Sequence, residues 1–219
     1  MTCARERLVL YAVTDRAWLS RAPAGADTLE RQVEEAVFGG ATLVQLREKA
    51  LDDAAFLDLA RRIKRVTDAR GVPLIINDNL CVTLASDAAG LHIGQSDGDV
   101  GAVRRHLGPQ KILGVSVQTV GQALEAQAAG ADYLGVGAVF PTSTKADAAD
   151  VSRAELTAIC AAVSLPVVAI GGIQRANVGA LEGTGIAGIA VVSALFGHPE
   201  RVREAAMELK KLAQKVCQS

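Results

Sequence analysis

The sequence is poor in aromatic residues, in cysteine and in net charge. Aromatics make up 3% of its 219 residues, which leaves few rings on which nucleic-acid bases could stack. The formal net charge of −1 supplies no general attraction to nucleic acid, so any anionic ligand must be held by a local cluster of cations. No stretch approaches the roughly eighteen uninterrupted apolar residues that would span a membrane. Residues 1–13 carry charges and lack a long apolar segment ending in a small-residue cleavage site, so no secretory signal is expected. The four cysteines, Cys3, Cys81, Cys160 and Cys217, are scattered and form no CxxC pair. Buried or incidental thiols in a reducing cytoplasm are the expectation, and the three histidines supply no zinc-ligand spacing.

What is present is strongly patterned. Short β-branched runs alternate with longer amphipathic ones. LVLYAV, TLVQL, PLIIN and GLHI read as four strands, and KILGVSV, DYLGVGAV, PVVAI and AGIAVV as four more. Most are nearly continuous apolar runs, as expected of parallel strands covered on both faces. Between them, TLERQVEEAVF, DDAAFLDLARRIKRVTDA, VSRAELTAICAAV and PERVREAAMELKKLAQKV place apolar residues at helical spacing. Gly40, Gly71, Gly90, Gly130 and Gly185 each precede a strand, which reads as repeated helix C-terminal chemistry. Eight βα units in one domain spanning residues 1–219 predict a closed α/β (β/α)8 barrel. An open doubly wound sheet is the runner-up, against which no GxGxxG turn follows any strand.

In such a barrel the chemistry lies at the carboxyl-terminal ends of the strands, and the unusual polar residues fall there. Strand one ends in Thr14-Asp15, strand two in Gln45-Leu46-Arg47-Glu48-Lys49, and strand three in Asn77-Asp78-Asn79. Strand four leads through His92 to Gln95-Ser96-Asp97, strand five carries Ser116 and Gln118, and strand six leads to Thr142-Ser143-Thr144-Lys145. Asp78 and Asp97 come from neighbouring strands and offer hard oxygen ligands suited to Mg2+; a salt-bridge role for each is the alternative. Arg47, Lys49 and Lys145 bring cations to the same mouth, able to grip a substrate carrying more charge than one phosphate. Gly171-Gly172 and Val192-Ser193, after strands seven and eight, read either as a monophosphate pocket or as simple tight turns. Residues 141–152 read as an active-site lid or a solvated loop. His92 reads as a hydrogen-bonded structural group rather than a catalyst, and His106 and His198 as surface or capping positions.

These motifs resemble the thiamine phosphate synthase family over almost the whole chain. YAVTD, GGATLVQLREK, GVPLIIND, GLHIGQSD, ILGVSVQT, GADYLGVGAVFPTSTK, PVVAIGGI and GIAVVSAL agree with it in order, spacing and strand position. The resemblance implies a transferase that condenses an aminopyrimidine diphosphate with a thiazole phosphate, releasing pyrophosphate with Mg2+ as cofactor. It implies that Gln45, Leu46, Arg47, Glu48, Lys49, Asn77, Ser116 and Lys145 surround the pyrimidine diphosphate, with Arg47, Lys49, Ser116 and Lys145 taking the catalytic part. Asp78 and Asp97 would hold Mg2+, and Thr142, Ser143, Thr144, Gly172, Val192 and Ser193 the thiazole phosphate. Gln118 and Asn79 depart from the commonest family pattern and affect fine substrate contacts only. The implied partners are these small molecules, with neither nucleic acid nor a membrane, and a homo-oligomer is compatible with the chain. A related thiazole tautomerase, or a non-catalytic regulatory barrel, are the rival readings. The complete set of Asn77, Asp78, Asp97, Arg47, Lys49 and Lys145 argues against both.

Overall fold

Each short apolar run becomes a strand because the fold covers it on both faces. In the computed structural model, which describes residues 5–142 and 150–218, the strands are β1 (Leu10–Val13), β2 (Leu43–Leu46), β3 (Leu74–Asn77), β4 (Gly90–Ile93), β5 (Ile112–Val117), β6 (Tyr133–Val136), β7 (Val167–Ile170) and β8 (Gly188–Val191). They pair in parallel in sequence order, and β8 closes onto β1 with Leu10, Tyr11 and Ala12 opposite Ile189, Ala190 and Val191. The open-sheet alternative is thereby excluded, and the architecture is a (β/α)8 barrel.

The helices are α1 (Leu29–Phe38), α2 (Asp53–Asp68), α3 (Leu80–Ala85), α4 (Val100–Leu107), α5 (Val120–Ala128), α6 (Arg153–Ala162), α7 (Ser193–Phe196) and α8 (Val202–Cys217). From α1 to α6 each opens on a side-chain cap: Thr28, Asp52, Asn79, Asp99, Thr119 and Ser152 accept from a backbone N–H three residues on. Such caps satisfy amides that the first helical turn leaves without partners. One unit departs from the expected pattern. Between β7 and β8 the chain forms a 3-10 turn, Val178–Leu181, where Asn177, Gly179 and Gly183 disfavour a longer helix.

Two apolar layers result from the strand alternation. Leu10, Val44, Leu46, Leu74, Ile76, Leu91, Leu113, Leu134 and Ala169 face the helices, while Tyr11, Leu43, Ile75, Ile112, Tyr133 and Val168 fill the barrel interior. Removing a large side chain from either layer would cost about 2–5 kcal/mol. Gly40, Gly71, Gly130 and Gly185 take positive φ before their strands, as helix C-terminal glycines do. Gly90 does not. It is the first residue of β4, and a Cβ there would lie 2.2 Å from the Ile112 carbonyl oxygen; Asp87, with φ of 54°, makes the left-handed turn after α3 instead.

At the amino-terminal end of the strands an ion pair between Arg104 and Asp132 joins neighbouring turns. Arg104 donates to the carbonyls of Gly130 (2.9 Å), Gly108 (2.8 Å) and Lys111 (2.8 Å), and its remaining nitrogen meets Asp132. The same Asp132 oxygen accepts from Leu113 N–H at 2.8 Å. With side-chain exposures of 19% and 12%, the pair is shielded enough for the loss of one partner to matter. Asp132→Ala is expected to lower unfolding free energy by about 2–3 kcal/mol, measured by urea denaturation. A change below about 0.5 kcal/mol would show that the pair behaves as a screened surface contact.

Candidate functional site at the carboxyl-terminal mouth

The same alternation that builds the core decides which polar residues meet. On β2 and just beyond it, Gln45, Arg47 and Lys49 point into the mouth, whereas Leu46 is buried against the helices and Glu48 turns outward to Arg16, 3.1 Å away. Leu46 and Glu48 therefore do not line the cavity, although both fall in the run singled out from sequence. Asn77, Asp78, Asp97, Ser116, Thr142, Gly172, Val192 and Ser193 do line it, around a volume of about 390 Å3. Its floor is Tyr11, Val13, Tyr133, Val168, Ile170 and Ala190. Ser143, Thr144 and Lys145, and with them most of the loop at 141–152, lie outside the described residues, as does Cys3.

One half of the mouth, on β2 to β5, is charged. Asp78 sits directly after β3 with φ of 63°, a left-handed conformation that aspartate tolerates better than most residues. Its N–H still donates to His92 O at 2.9 Å, continuing the β3–β4 ladder, while Asn79 N–H bonds back to Asn77 O at 2.7 Å. This tight turn aims the Asp78 carboxylate at that of Asp97, within hydrogen-bonding reach. Asp97 is held in turn by the N–H of Gly94 at 2.7 Å. Burial first, and then the Asp97 carboxylate, push the Asp78 carboxyl above its usual range; Lys49, 3.1 Å from Asp78, opposes them. Glu48 is also raised, mainly by burial, with Arg16 opposing.

The other half, on β6 to β8, is small and largely neutral. Val139 N–H donates to Ile170 O at 3.0 Å and Phe140 N–H to Gly171 O at 3.1 Å, so the loop after β6 zips onto the turn after β7. Gly172 has φ of +63°, and a Cβ there would stand 2.4 Å from the Pro141 carbonyl oxygen. Only glycine combines that conformation with that approach. Asn177 Nδ2 donates to Gly172 O at 2.9 Å, and Gln174 Nε2 reaches Ser193 Oγ at 3.3 Å. Ser193 opens the short helix α7, the extra helix that barrels often place after strand eight beside a phosphate site.

Residues 10–195 match the family described as thiamine monophosphate synthase. The chain belongs to that family. The thiamine-phosphate synthase of Clostridium beijerinckii is 49% identical over 201 residues, covering 92% of this chain and 93% of the relative. The thiamine-phosphate synthase of Enterococcus faecalis is 46% identical over 215 residues, covering 98% and 99%. Among solved structures, thiamine phosphate pyrophosphorylase from Pyrococcus furiosus superposes with a TM-score of 0.86 at 37% identity, covering 97% of this chain and 98% of that one.

Within the thiamine monophosphate synthase frame, the Asp78–Asp97 pair suits a hard divalent cation. Two carboxylates held together repel unless a proton or a cation intervenes, and oxygen donors are those that Mg2+ prefers. Among the described residues no group of three or more His, Cys, Asp or Glu side chains comes together. Gln118 lines the cavity, and Asn79 caps α3 through Val82 N–H at 2.8 Å.

Sequence reasoning missed Tyr11 and Tyr133, which reach the mouth from the barrel floor and hydrogen-bond each other at 2.8 Å. Their signal was the phase of the strand alternation, which puts both on the inner face. His92, read as structural, is buried and hydrogen-bonded as expected, yet it too lines the cavity.

The raised Asp78 has a consequence for stability. A carboxyl with a folded-state pKa above its ordinary value of 3.8 binds more protons folded than unfolded, so its contribution declines as pH rises through that window. Without divalent cations, Asp78→Asn should gain melting temperature on the parent protein as the pH rises from about 4 to 7. A difference that stays constant or shrinks would contradict the repulsive pair.

Proposed function

We propose that the chain condenses an aminopyrimidine methyl diphosphate with a thiazole phosphate to give thiamine phosphate and pyrophosphate; from the carboxylated thiazole phosphate the same condensation also releases carbon dioxide. The observation that carries this reading is the divided mouth: paired carboxylates with Arg47 and Lys49 on β2 to β4, and a small glycine- and serine-lined half on β6 to β8. A diphosphate and a monophosphate need two such unlike halves.

In the proposed reaction the bond between the pyrimidine methylene carbon and its diphosphate oxygen breaks, and its electron pair leaves with the diphosphate. Arg47, Lys49 and Lys145 hold the departing group, where fixed charge lowers a barrier most effectively. Gln45, Asn77 and Ser116 orient the ring, whose electrons stabilise the methylene cation. Thr142, Ser143, Thr144, Gly172, Val192 and Ser193 keep the thiazole phosphate in place, so that the thiazole nitrogen lone pair forms the new carbon–nitrogen bond. Leu46 and Glu48 support the site from behind, through the core and through Arg16. Mg2+, held by Asp78 and Asp97, would supply further positive charge for the leaving group. Holding both partners together can contribute about 7–11 kcal/mol in a favourable case, and no protein nucleophile is required.

Incubating the protein with both precursors and Mg2+ is expected to yield thiamine phosphate and pyrophosphate in equal amounts. In that assay Asp78→Asn and Asp97→Asn should each raise the Mg2+ requirement and cut turnover about tenfold or more, and the double variant should be little worse than the poorer single one. Losses that multiply, or an unchanged Mg2+ requirement, would contradict a shared ion. Isomerisation of the thiazole without condensation would contradict the synthase reading itself.

A further inference from the structure

Four hydrogen bonds cross the floor of the mouth as one continuous chain. Gln45 Nε2 donates to the Tyr11 hydroxyl at 2.7 Å, and the Tyr11 and Tyr133 hydroxyls are 2.8 Å apart. The Tyr133 hydroxyl meets His92 Nδ1 at 2.8 Å, and His92 Nε2 meets Ser116 Oγ at 2.9 Å. The chain therefore runs from β2 through β1, β6 and β4 to β5. Its middle members are buried: Tyr133 at 0%, Tyr11 at 2% and His92 at 8% exposure. Two glycines on inner strand faces leave room for it. A Cβ at Gly114 would stand 2.3 Å from the Tyr133 hydroxyl and 2.5 Å from His92 Nδ1, and one at Gly135 would stand 3.1 Å from His92 Cε1.

The chain has a direction. A phenol has one proton to give, and a neutral imidazole has one N–H. With Gln45 donating and each proton directed along the chain, Tyr11 donates to Tyr133, Tyr133 donates to His92 Nδ1, and His92 keeps its proton on Nε2 and donates to Ser116. Ser116 then has its own O–H to offer the cavity, and Gln45 has its carbonyl oxygen. Turning the Gln45 amide over, an assignment made from hydrogen-bonding partners, reverses every bond. Gln45 then presents N–H and Ser116 a lone pair. In either state one end is a donor and the other an acceptor.

We propose that Tyr11, Tyr133 and His92 are positioning residues whose hydrogen-bonded chain couples Gln45 to Ser116 and so selects a ring with one N–H donor and one nitrogen acceptor. This rests on the function proposed above, in which an aminopyrimidine is such a ring. A carbonyl-only or hydrocarbon ring of the same size cannot satisfy both ends, and a buried polar end left without a partner is costly. The three residues act through Gln45 and Ser116 on the pyrimidine alone; the thiazole phosphate lies on the opposite half.

The test is calorimetric binding of the pyrimidine diphosphate and, separately, of the thiazole phosphate, with Mg2+ present, to the full chain. Tyr133→Phe keeps the ring and removes the link. It should weaken pyrimidine diphosphate binding about tenfold or more and change thiazole phosphate binding less than about twofold. Combined with Ser116→Ala, it should add little to that variant's loss, since both break one chain. Tyr11→Phe serves as a second break, and melting curves report whether each variant folds. Unchanged pyrimidine binding, equal weakening of both ligands, or multiplying losses would overturn the proposal. So would failure of both tyrosine variants to fold, which would make the hydroxyls structural. A parent protein that binds no pyrimidine diphosphate would overturn the synthase reading and the coupling with it. A parent that binds it, beside an unaffected Tyr133→Phe, would overturn the coupling alone.

Discussion

Two carboxylates placed side by side repel each other, and much of the mouth is arranged around holding Asp78 and Asp97 together. Their position follows from closure of the barrel: β3 and β4 pair with Asn77 opposite His92, and the chain must turn sharply after each strand. Asp78 adopts its left-handed backbone conformation there, a departure that costs about 1–3 kcal/mol where it persists. The Gly94 N–H holds Asp97 from the far side, and Lys49 covers part of the charge. Lys49 and the Gly94 N–H offset part of the repulsion, whereas burial of the pair and the left-handed turn add to its cost. The barrel supplies the stability that offsets the strain and the remaining repulsion. The Arg104–Asp132 junction lies at the opposite end of the strands, so that stability and site are built at separate ends.

The mouth is also asymmetric, for a reason visible in residue size. On β2 to β5 the inner positions next to the rim are Gln45, Asn77, His92 and Ser116, which carry hydrogen-bonding groups. On β6 and β7 the inner positions at the rim are Gly135, Gly137 and Ile170, which leave space. Space on one side and polarity on the other give one cavity two unlike halves. Membership of the thiamine monophosphate synthase family, over residues 10–195, is consistent with that division.

Much of this was legible in the sequence, because buried parallel strands read as apolar runs and the rim residues stand out at their ends. Strand positions, barrel closure and most of the candidate site followed from that. Other features needed a second dimension. Leu46 and Glu48 share the run QLREK with three residues that line the cavity, and only the inward phase of Gln45 separates them. Tyr11 and Tyr133 look like ordinary core residues until closure of the barrel brings β1 and β6 across the interior to one another. Gly90 looks like a helix terminus, yet the close approach of Ile112 is what requires it. The six-residue helix α3 offers too few turns for a strong periodic signal, and its Asn79 cap marks it better than its apolar face does.

The central claim is that one mouth holds a diphosphate beside Asp78 and Asp97 and a monophosphate beside Gly172 and Ser193. A crystal structure with Mn2+ in place of Mg2+, pyrophosphate and thiamine phosphate would test it most directly. The account predicts an anomalous scattering peak between the two aspartates, with pyrophosphate against it near Arg47 and Lys49, and the thiamine phosphate group at the turns after β7 and β8. An anomalous peak elsewhere, or pyrophosphate lodged at Gly172 and Ser193, would contradict it.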